Sequence, residues 1–293
     1  MNLELFTLYI KIRFVSNSKL KRIPNAHLQA QIKQAQKINR GIGSDVFLIS
    51  FNRQKYILRI ENKNKNSRLK LRRHLKTLKI LNHELFTQDA IQAGYIGKRF
   101  YFVTNYFPGD NLKSLTREKM FLLWEIAEKV HAHAFKDAAK MRNLIYRSEY
   151  KSWMDFLRKN LKKIKSLDLK ELRPLVLKVS RDFLSLNKII SSRPKHSLLH
   201  FDLNKENMLL DSSGKKIFLL DWENAMIGDP LADYAILNNF WFNNSKNVIK
   251  DYINSKEEKL FIFYRRFFLL REIFYKLKYG MPVDGDIKAV KKI

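Results

Sequence analysis

The first third of the chain carries apolar residues at two different spacings. Short apolar runs bounded by turn residues occur along Val46–Phe51 and Gln54–Ile60, and again along Ala90–Ile96 and Arg99–Asn105, which is typical of paired strands. Between the two pairs, Lys65–Leu85 has leucines close to helical spacing and an opposite face rich in Lys and Arg. The pattern predicts a small β-rich lobe with one amphipathic helix.

The rest of the chain is mainly helical by the spacing of its apolar residues. Three stretches have a helical period: Thr116–Ala134, Tyr150–Ile164 and Leu172–Ile190. Strand-like spacing interrupts this region at Ser197–Leu210 and at Lys216–Trp222, with a Ser-Ser-Gly turn between the two runs. Helical spacing returns from Asp229 onward. We therefore expect a helical body that contains one hairpin-like insert.

A change of pattern separates the two regions. The segment Tyr106-Phe-Pro-Gly-Asp110 follows the last predicted strand of the first region and interrupts its alternation. We expect an α+β fold of two lobes, with residues 1–105 in a small N-terminal lobe and residues 106–293 in a larger C-terminal lobe.

Composition and charge narrow the classes of protein. The chain has 293 residues, 45% of them hydrophobic, which is enough to bury a substantial core. Its 57 Lys and Arg against 28 Asp and Glu give a net charge of +29, which attracts nucleotide phosphates, nucleic acid or acidic membranes. Because the basic residues are spread over the whole chain, a general bias of composition explains the charge equally well.

Two further features of the composition exclude particular kinds of site. The chain has no cysteine, which excludes disulfides, thiolate catalysis and cysteine-based zinc sites. Charged residues interrupt Met1–Val15, no cleavage site follows it, and the chain has no run of about 18 apolar residues. We expect a soluble, cytoplasmic protein.

The strongest chemical signal is His200-Phe-Asp202-Leu-Asn-Lys-Glu-Asn207, followed by Asp221 at the end of an apolar run. Phosphoryl transfer needs an acceptor hydroxyl held in line and cations that neutralise charge on the phosphates. Asp202 would accept the proton of the hydroxyl, Asn207 and Asp221 would supply oxygen ligands for Mg²⁺, and His200 would brace the loop. A chance match to this spacing is expected in about one chain in a hundred.

These residues resemble the choline kinase and aminoglycoside phosphotransferase superfamily, and most of all its bacterial choline-kinase-like branch. The resemblance includes Asp221-Trp-Glu-Asn-Ala225, Gly228-Asp-Pro230 and Asp233-Tyr-Ala235, and it is specific from Leu198 to Leu237. It implies a protein-kinase-like fold with a nucleotide-binding N-terminal lobe and a catalytic, substrate-binding C-terminal lobe. It also implies ATP as co-substrate, Mg²⁺ as cofactor, Asp202 as catalytic base and structural roles near the site for His200 and Asp229.

The resemblance also assigns residues to the nucleotide. Gly41, Gly43 and Ser44 would lie over the phosphates, where a glycine-rich turn lets backbone N–H groups approach closely. Arg59 falls where the family has a cation on a strand that reaches the phosphates. Strand alternation would place its side chain on the opposite face of the strand from Leu58 and Ile60. Tyr106 belongs to the segment that resembles the hinge contacting adenine.

One position departs from the family pattern. Kinase-like folds usually pair the strand cation with a Glu on the following helix, yet Asn62 through His83 contains no acidic residue. His74 falls near the expected Glu. Three explanations stay open: a different register, a carboxylate from elsewhere, or an Arg59 that acts without such a partner.

The two residues directly after the metal-binding Asp indicate the acceptor. The resemblance places Trp222 and Glu223 in contact with substrate, and an aromatic face next to a carboxylate suits a quaternary ammonium. We expect choline or ethanolamine as acceptor, with phosphocholine as the product of choline, while thiamine and aminoglycosides are alternatives within the same fold. Further rings could come from Phe240–Phe242 or Phe261–Tyr275, although aromatic residues at helical spacing usually form core.

A different class of function rests on the charge alone. The basic stretches Arg68–Lys79 and Arg158–Lys170 could make the chain a nucleic-acid- or membrane-surface-binding protein with a degenerate kinase fold. That alternative leaves the Asp202 loop unexplained, so we expect no specific nucleic-acid partner. Peripheral membrane contact and the oligomeric state stay open.

Overall fold

A computed structural model describes residues 23–34, 37–40, 44–63, 67–82, 84–133, 150–193, 197–241 and 253–293. The predicted glycine turn at Gly41 and Gly43 lies outside these residues. Among the helices of the described part of the chain, none combines the length and the apolar character that a membrane-spanning segment requires.

The N-terminal lobe is built on an antiparallel sheet of five strands. The strands are β1 Lys37–Arg40, β2 Ser44–Phe51, β3 Gln54–Glu61, β4 Ala90–Ile96 and β5 Arg99–Asn105, in the spatial order β1-β2-β3-β5-β4. Two helices belong to this lobe, α1 Asn25–Gln34 and α2 Ser67–Ile80. Leu58, Ile60 and Tyr101 form a buried cluster with Leu28 of α1, whereas Phe102 of β5 joins the cluster that contains the leucines of α2. Each face of the sheet is therefore covered by one helix.

The predicted boundary segment crosses from one lobe to the other close to backbone of the C-terminal lobe. After β5 the chain reaches Gly109 and the short strand β6 Asp110–Asn111, which pairs with β8 Met208–Leu210. A Cβ on Gly109 would lie 2.5 Å from the carbonyl oxygen of Leu210, so this approach requires glycine. The ring of Phe107 stacks on Phe218 with centroids 4.1 Å apart. The division at residues 105 and 106 stays a prediction.

The C-terminal lobe combines helices with short strands. Its helices are α3 Arg117–Ala132, α4 Trp153–Lys165, α5 Arg173–Ser192, α6 Leu231–Trp241, α7 Glu258–Lys278 and α8 Asp284–Lys291. Its remaining strands are β7 Ser197–Leu199, β9 Ile217–Leu219 and β10 Met226–Gly228. Strand β7 pairs with β10, and β8 pairs with β9. The arrangement confirms the predicted α+β fold of a β-rich lobe followed by a helical lobe.

The central apolar core is shared by both lobes. Phe102 of β5 and Leu75 of α2 belong to the same buried cluster as Leu123 of α3, Met208 of β8 and Trp222. A second cluster, made by α4, α5 and α7, lies within the C-terminal lobe. Most rings of Phe261–Tyr275 belong to that second cluster because they lie on the buried side of α7.

Two predictions about elements were wrong in detail. The helix predicted over Lys65–Leu85 ends at Ile80, and Leu69 and Leu85 are exposed rather than part of its apolar face. The strand-like island does not form a single hairpin, because β7 pairs with β10 while β8 and β9 form a sheet with β6.

Candidate active site

The loop that carries Asp202 is held by a buried carboxylate. Asp233 of α6 accepts hydrogen bonds from the backbone N–H groups of His200 at 2.9 Å and Phe201 at 2.8 Å. Its Oδ2 is also 3.1 Å from Nε2 of His131. Phe201 has a φ of 63°, a left-handed conformation that is strained for an aromatic residue. Asp233 therefore stabilises a turn that the local sequence would not favour by itself.

Two side-chain amides orient the carboxylate of Asp202. Asn204 Nδ2 donates to Oδ1 at 2.8 Å, and Asn224 Nδ2 donates to Oδ2 at 3.1 Å. The side-chain oxygen of Asn204 also accepts from the N–H groups of Glu206 and Asn207, which fixes the turn after Asp202. Asp202 is thus an oriented, partly buried carboxylate.

Backbone hydrogen bonds bring Asn207 and Asp221 to the same place. Nδ2 of Asn207 donates to the carbonyl of Asp202 at 3.0 Å, and the carbonyl of Asn207 accepts from the N–H of Leu220 at 2.8 Å. Nε2 of His200 donates to the carbonyl of Leu220 at 2.8 Å. These bonds join the loop to the residue before Asp221, which itself has a left-handed φ of 58°.

The side chains of Asn207 and Asp221 each have an oxygen that suits a hard cation. Oδ1 of Asn207 and Oδ2 of Asp221 accept no hydrogen bond from the part of the chain that the structure describes, and the side chain of Asp221 is 35% exposed. No group of three His, Cys, Asp or Glu residues able to hold a metal occurs in the described ranges. Mg²⁺ needs no such group, since it commonly binds one or two protein oxygens together with phosphates and water. The residues therefore fit Mg²⁺ bound together with a nucleotide.

Arg59 is a buried cation next to these carboxylates. It lies on β3 opposite Phe102, on the other face of the sheet from Leu58 and Ile60, as strand alternation predicts. Its side chain is buried, and its Nε has no hydrogen-bond partner within the described residues. An ordinary exposed surface arginine is thereby excluded at this position.

His74 lies on α2, near the position where the resemblance leads us to expect Glu. Its Nδ1 lies 3.6 Å from Oδ1 of Asp221, and its ring contacts Phe102 edge-on with centroids 5.1 Å apart. Burial, and then the charges of Arg59 and His200, hold the pKa of His74 well below its ordinary value. The side chain is therefore neutral and gives Arg59 no negative partner.

A carboxylate from the C-terminal lobe supplies the negative charge that α2 lacks. The carboxylate of Glu223 accepts a hydrogen bond from Nζ of Lys70 at 2.6 Å. The backbone carbonyl of Glu223 accepts a second one from Nη1 of Arg73 at 2.9 Å. Burial and the nearby charge of Asp221 raise the pKa of Glu223, while Lys70 and Arg59 act in the opposite direction. Glu223 therefore brings a negative charge near Arg59, but its ion pair is with Lys70, and Arg59 forms no ion pair with a carboxylate of the described residues. Of the three open explanations, the structure favours an Arg59 that acts without such a partner.

The positions of Trp222 and Glu223 do not support the substrate contacts expected of them. Trp222 is fully buried, its Nε1 donates to Oγ1 of Thr87 at 2.8 Å, and its ring lies 4.4 Å from that of His200. The aromatic face is therefore covered, and Glu223 is paired with Lys70. Both residues connect the two lobes, a role that the sequence did not indicate because their partners lie far away along the chain.

The remaining predicted residues lie around this group. Ser44 is buried at the start of β2, opposite Glu61, and Tyr106 follows β5 with Nζ of Lys55 5.8 Å from its ring centre. Asp229 is 2.8 Å from Nε of Arg193 and accepts from the hydroxyl of Tyr264 at 3.1 Å. Burial raises the pKa of Asp229, while Arg193 opposes that change. Its contacts are those of a structural residue.

Three residues of the site were not among the predicted ones. Asn204, Asn224 and Asp233 position Asp202 or its loop through the hydrogen bonds described above. All three lie inside the motifs that the sequence singled out. The signal was therefore present, but nothing in the spacing shows which side chain each of them contacts.

A small cavity lies beside Phe201 and Asn224, two neighbours of Asp202. It is lined by residues from the catalytic loop, from the segment after Asp221 and from the helices of the C-terminal lobe: Tyr150, Phe156, Phe201, Asn224, Ala225, Met226 and Arg271. Phe201 precedes Asp202 and Asn224 donates to it, so a molecule entering here would approach its carboxylate.

Comparisons with known proteins agree with this architecture. Residues 34–264 match the phosphotransferase enzyme family. Similar solved structures include the aminoglycoside phosphotransferase APH(4)-Ia, at 17% identity over 92% of this chain and 96% of that one, with a TM-score of 0.63. Choline kinase LicA from Streptococcus pneumoniae is 14% identical over 91% of this chain and 95% of that one, with a TM-score of 0.60.

A mutant of the same aminoglycoside phosphotransferase was solved with ADP and hygromycin B and is 18% identical over 92% of this chain and 95% of that one, with a TM-score of 0.59. At these identities the likeness establishes the fold, and it confirms the predicted protein-kinase-like architecture. No curated protein matches the chain in sequence.

Proposed function

The chain belongs to the phosphotransferase enzyme family, and from this membership we propose that it transfers the γ-phosphoryl group of ATP to a hydroxyl group of a small molecule. The superfamily resemblance carried by the Asp202 loop is confirmed at this level. What stays a proposal is the role of each residue and the identity of the acceptor.

The observation that carries the proposal is the orientation of Asp202. Both of its carboxylate oxygens are held by amide donors, beside the oxygens of Asn207 and Asp221 that are left for a cation. In the proposed reaction the acceptor oxygen forms a bond to the γ-phosphorus, the bond from that phosphorus to the β,γ-bridging oxygen breaks, and ADP leaves. The proton of the hydroxyl passes to Asp202.

The nucleotide would lie between the sheet and this loop. Arg59 offers a buried positive charge there, and the backbone near Tyr106 offers hydrogen bonds to the base. Asn207 and Asp221 would hold Mg²⁺, which when bound neutralises negative charge on the phosphates. Structures of APH(4)-Ia variants with ADP or AMP-PNP support ATP as co-substrate for this fold.

Choline, the acceptor expected from sequence, has mixed support. A choline kinase shares the fold, but so does a phosphotransferase solved with hygromycin B. The two residues expected to bind the quaternary ammonium, Trp222 and Glu223, are covered by Thr87 and Lys70. Thiamine stays an alternative acceptor within the same fold.

The change Asp202→Asn tests the proposed chemistry. It keeps the size of the side chain and removes its basicity, so we expect phosphoryl transfer to fall by about 10²- to 10⁴-fold. Turnover of Mg·ATP would be measured with choline, ethanolamine, thiamine, kanamycin and D-glycerate, and without added acceptor, together with the affinity for AMP-PNP.

The control is Asp168→Asn, a change of the same kind at an exposed side chain. It should leave turnover and AMP-PNP affinity unchanged. Wild-type rates in Asp202→Asn would show that Asp202 is not the base, and wild-type protein that binds no AMP-PNP would contradict the proposed function as a whole.

A further inference from the structure

The cavity beside Asp202 accepts a small group. It has room for little more than one water-sized group, and three of its seven lining residues are aromatic. Such a space does not enclose a whole acceptor molecule. It suits one compact end of an acceptor whose hydroxyl lies at the carboxylate of Asp202.

A guanidinium group already occupies the aromatic faces of this cavity. The guanidinium carbon of Arg271 on α7 lies 5.6 Å from the ring centres of both Phe156 and Phe201, and 4.9 Å from that of Tyr275. Its Nε donates to Oδ1 of Asn160 at 3.3 Å. These contacts hold the cation over the faces that a quaternary ammonium would need.

A second cation lies close to the same rings. Nζ of Lys163 on α4 is 2.9 Å from the hydroxyl of Tyr275 and about 6.0 Å from the ring centre of Tyr150. Although burial opposes the charge, the hydrogen bond to Tyr275 raises the pKa of Lys163, so the ammonium stays charged. Glu272, which follows Arg271, lies 3.9 Å from Lys276. The wall formed by α4 and α7 therefore carries more positive than negative charge.

We propose that the acceptor carries an oxyanion, a carboxylate or a phosphate, in addition to its hydroxyl group, and that Arg271 binds this oxyanion. The inference rests on the proposed function, because it names the acceptor class of that same site. A guanidinium presents paired N–H donors that match the oxygens of a carboxylate or phosphate. Choline would place a like charge beside Arg271, and aminoglycosides would place several.

The test compares three molecules that share one carbon skeleton, namely glycerol, D-glycerate and glycerol 3-phosphate, with choline as a fourth. Each is titrated calorimetrically into full-length protein saturated with Mg·AMP-PNP, so that the nucleotide site cannot take up the anion. Ionic strength is held constant. We expect at least one anion to bind wild type about 10- to 100-fold more tightly than glycerol, which is the range for hydrogen bonds to a charged group.

Variants assign the effect to one residue. Arg271→Gln should abolish the preference for the anion, and Arg271→Lys, which keeps the charge without the planar fork, should retain part of it. Arg158→Gln removes the same charge from an exposed position on α4 and should change nothing. Unchanged AMP-PNP affinity shows that each variant is folded.

Each outcome separates this inference from the proposed function. An anion preference that survives in Arg271→Gln, tighter binding of choline than of either anion, or no anion binding to wild type that still binds AMP-PNP would each overturn the inference alone. Failure of wild type to bind AMP-PNP would overturn the proposed function and the inference with it. If glycerate and glycerol 3-phosphate differ, the tighter one identifies the kind of oxyanion.

Discussion

At the scale of single residues, the site differs from the usual kinase arrangement by one exchange. His74 lies on α2 near the position where a carboxylate is expected. Glu223 of the other lobe provides a carboxylate, which forms an ion pair with Lys70 of α2. The imidazole remains neutral because it is buried beside Arg59, which lowers its pKa. Arg59 is therefore a buried cation without an ion pair among the described residues, and Glu223 acts on it only as a nearby charge.

The change His74→Gln should remove a pH dependence of stability. The unfolded chain gains a proton on His74 as the pH falls through its ordinary pKa of 6.5, whereas the folded chain, with its lowered pKa, does not. Wild type therefore loses stability below pH 6.5, and the variant should lose less. Urea unfolding of both proteins at pH 5 to 8 measures the difference.

Gln34→Ala on α1 is the control for that series, since it removes an exposed side chain that does not titrate. Its curve should run parallel to wild type from pH 8 down to pH 5. A curve of His74→Gln that also runs parallel to wild type would show that His74 is not buried in its neutral form.

The sequence indicated some of these residues and not others for a physical reason. Asp202, Asn207 and Asp221 lie within 20 positions of one another and are joined by backbone hydrogen bonds, so their grouping follows from local spacing. Glu223 meets Lys70 across 153 positions of the chain, and that contact depends on how the lobes pack. Local pattern carries no information about it.

At the scale of elements, the long strands were predictable and the short ones were not. Strands β4 and β5 match their predicted bounds because two β-like runs meet at Gly97, whose φ of 60° suits the turn. Strands β7 and β10 have three residues each, too few to show a period, and they pair across a long stretch of chain. Their pairing nevertheless sets the start of the Asp202 loop.

Gly228 in β10 offers a test of that strand pair. A Cβ there would lie 2.5 Å from Cε3 of Trp153 and 2.9 Å from Cδ1 of Leu199, both buried. We expect Gly228→Ala to destabilise the protein by about 1–3 kcal/mol through overpacking. Chemical denaturation measures the change.

Gly285→Ala provides a control of opposite sign. A Cβ at this position of α8 meets nothing within 4 Å, so the same change should stabilise the protein by up to about 1 kcal/mol through helix propensity. Equal effects of the two changes would show that the contact of Gly228 with Trp153 is looser than described.

At the scale of the whole molecule, the net charge of +29 acts on stability as well as on ligands. Charges of one sign repel one another in the compact state, and salt screens that repulsion. We expect the melting temperature to rise between about 50 and 500 mM NaCl, because the Debye length falls over this range from above 10 Å to a few ångströms. A gain of 1 kcal/mol would appear as roughly 2–4 °C.

Differential scanning calorimetry checks this prediction, with an uncharged solute at equal osmolality as the control. A melting temperature that falls or stays constant with NaCl would show that ion pairs in this fold outweigh the repulsion. The sequence predicted the sign of the charge and the two lobes, since both follow from composition and pattern, but it did not predict that the lobes share one core.

That shared core has a consequence for how the protein is made. The α2 side of the sheet is complete only when Met208, Trp222 and Leu237 have joined Phe102. Ribosomes add about 5–20 residues per second, so for on the order of ten seconds the apolar residues that α2 and the sheet share with the C-terminal lobe are only partly covered. During that interval the nascent chain needs a chaperone to bind its exposed apolar surface. Translation that stalls before residue 237 should leave an aggregation-prone intermediate rather than a stable N-terminal domain.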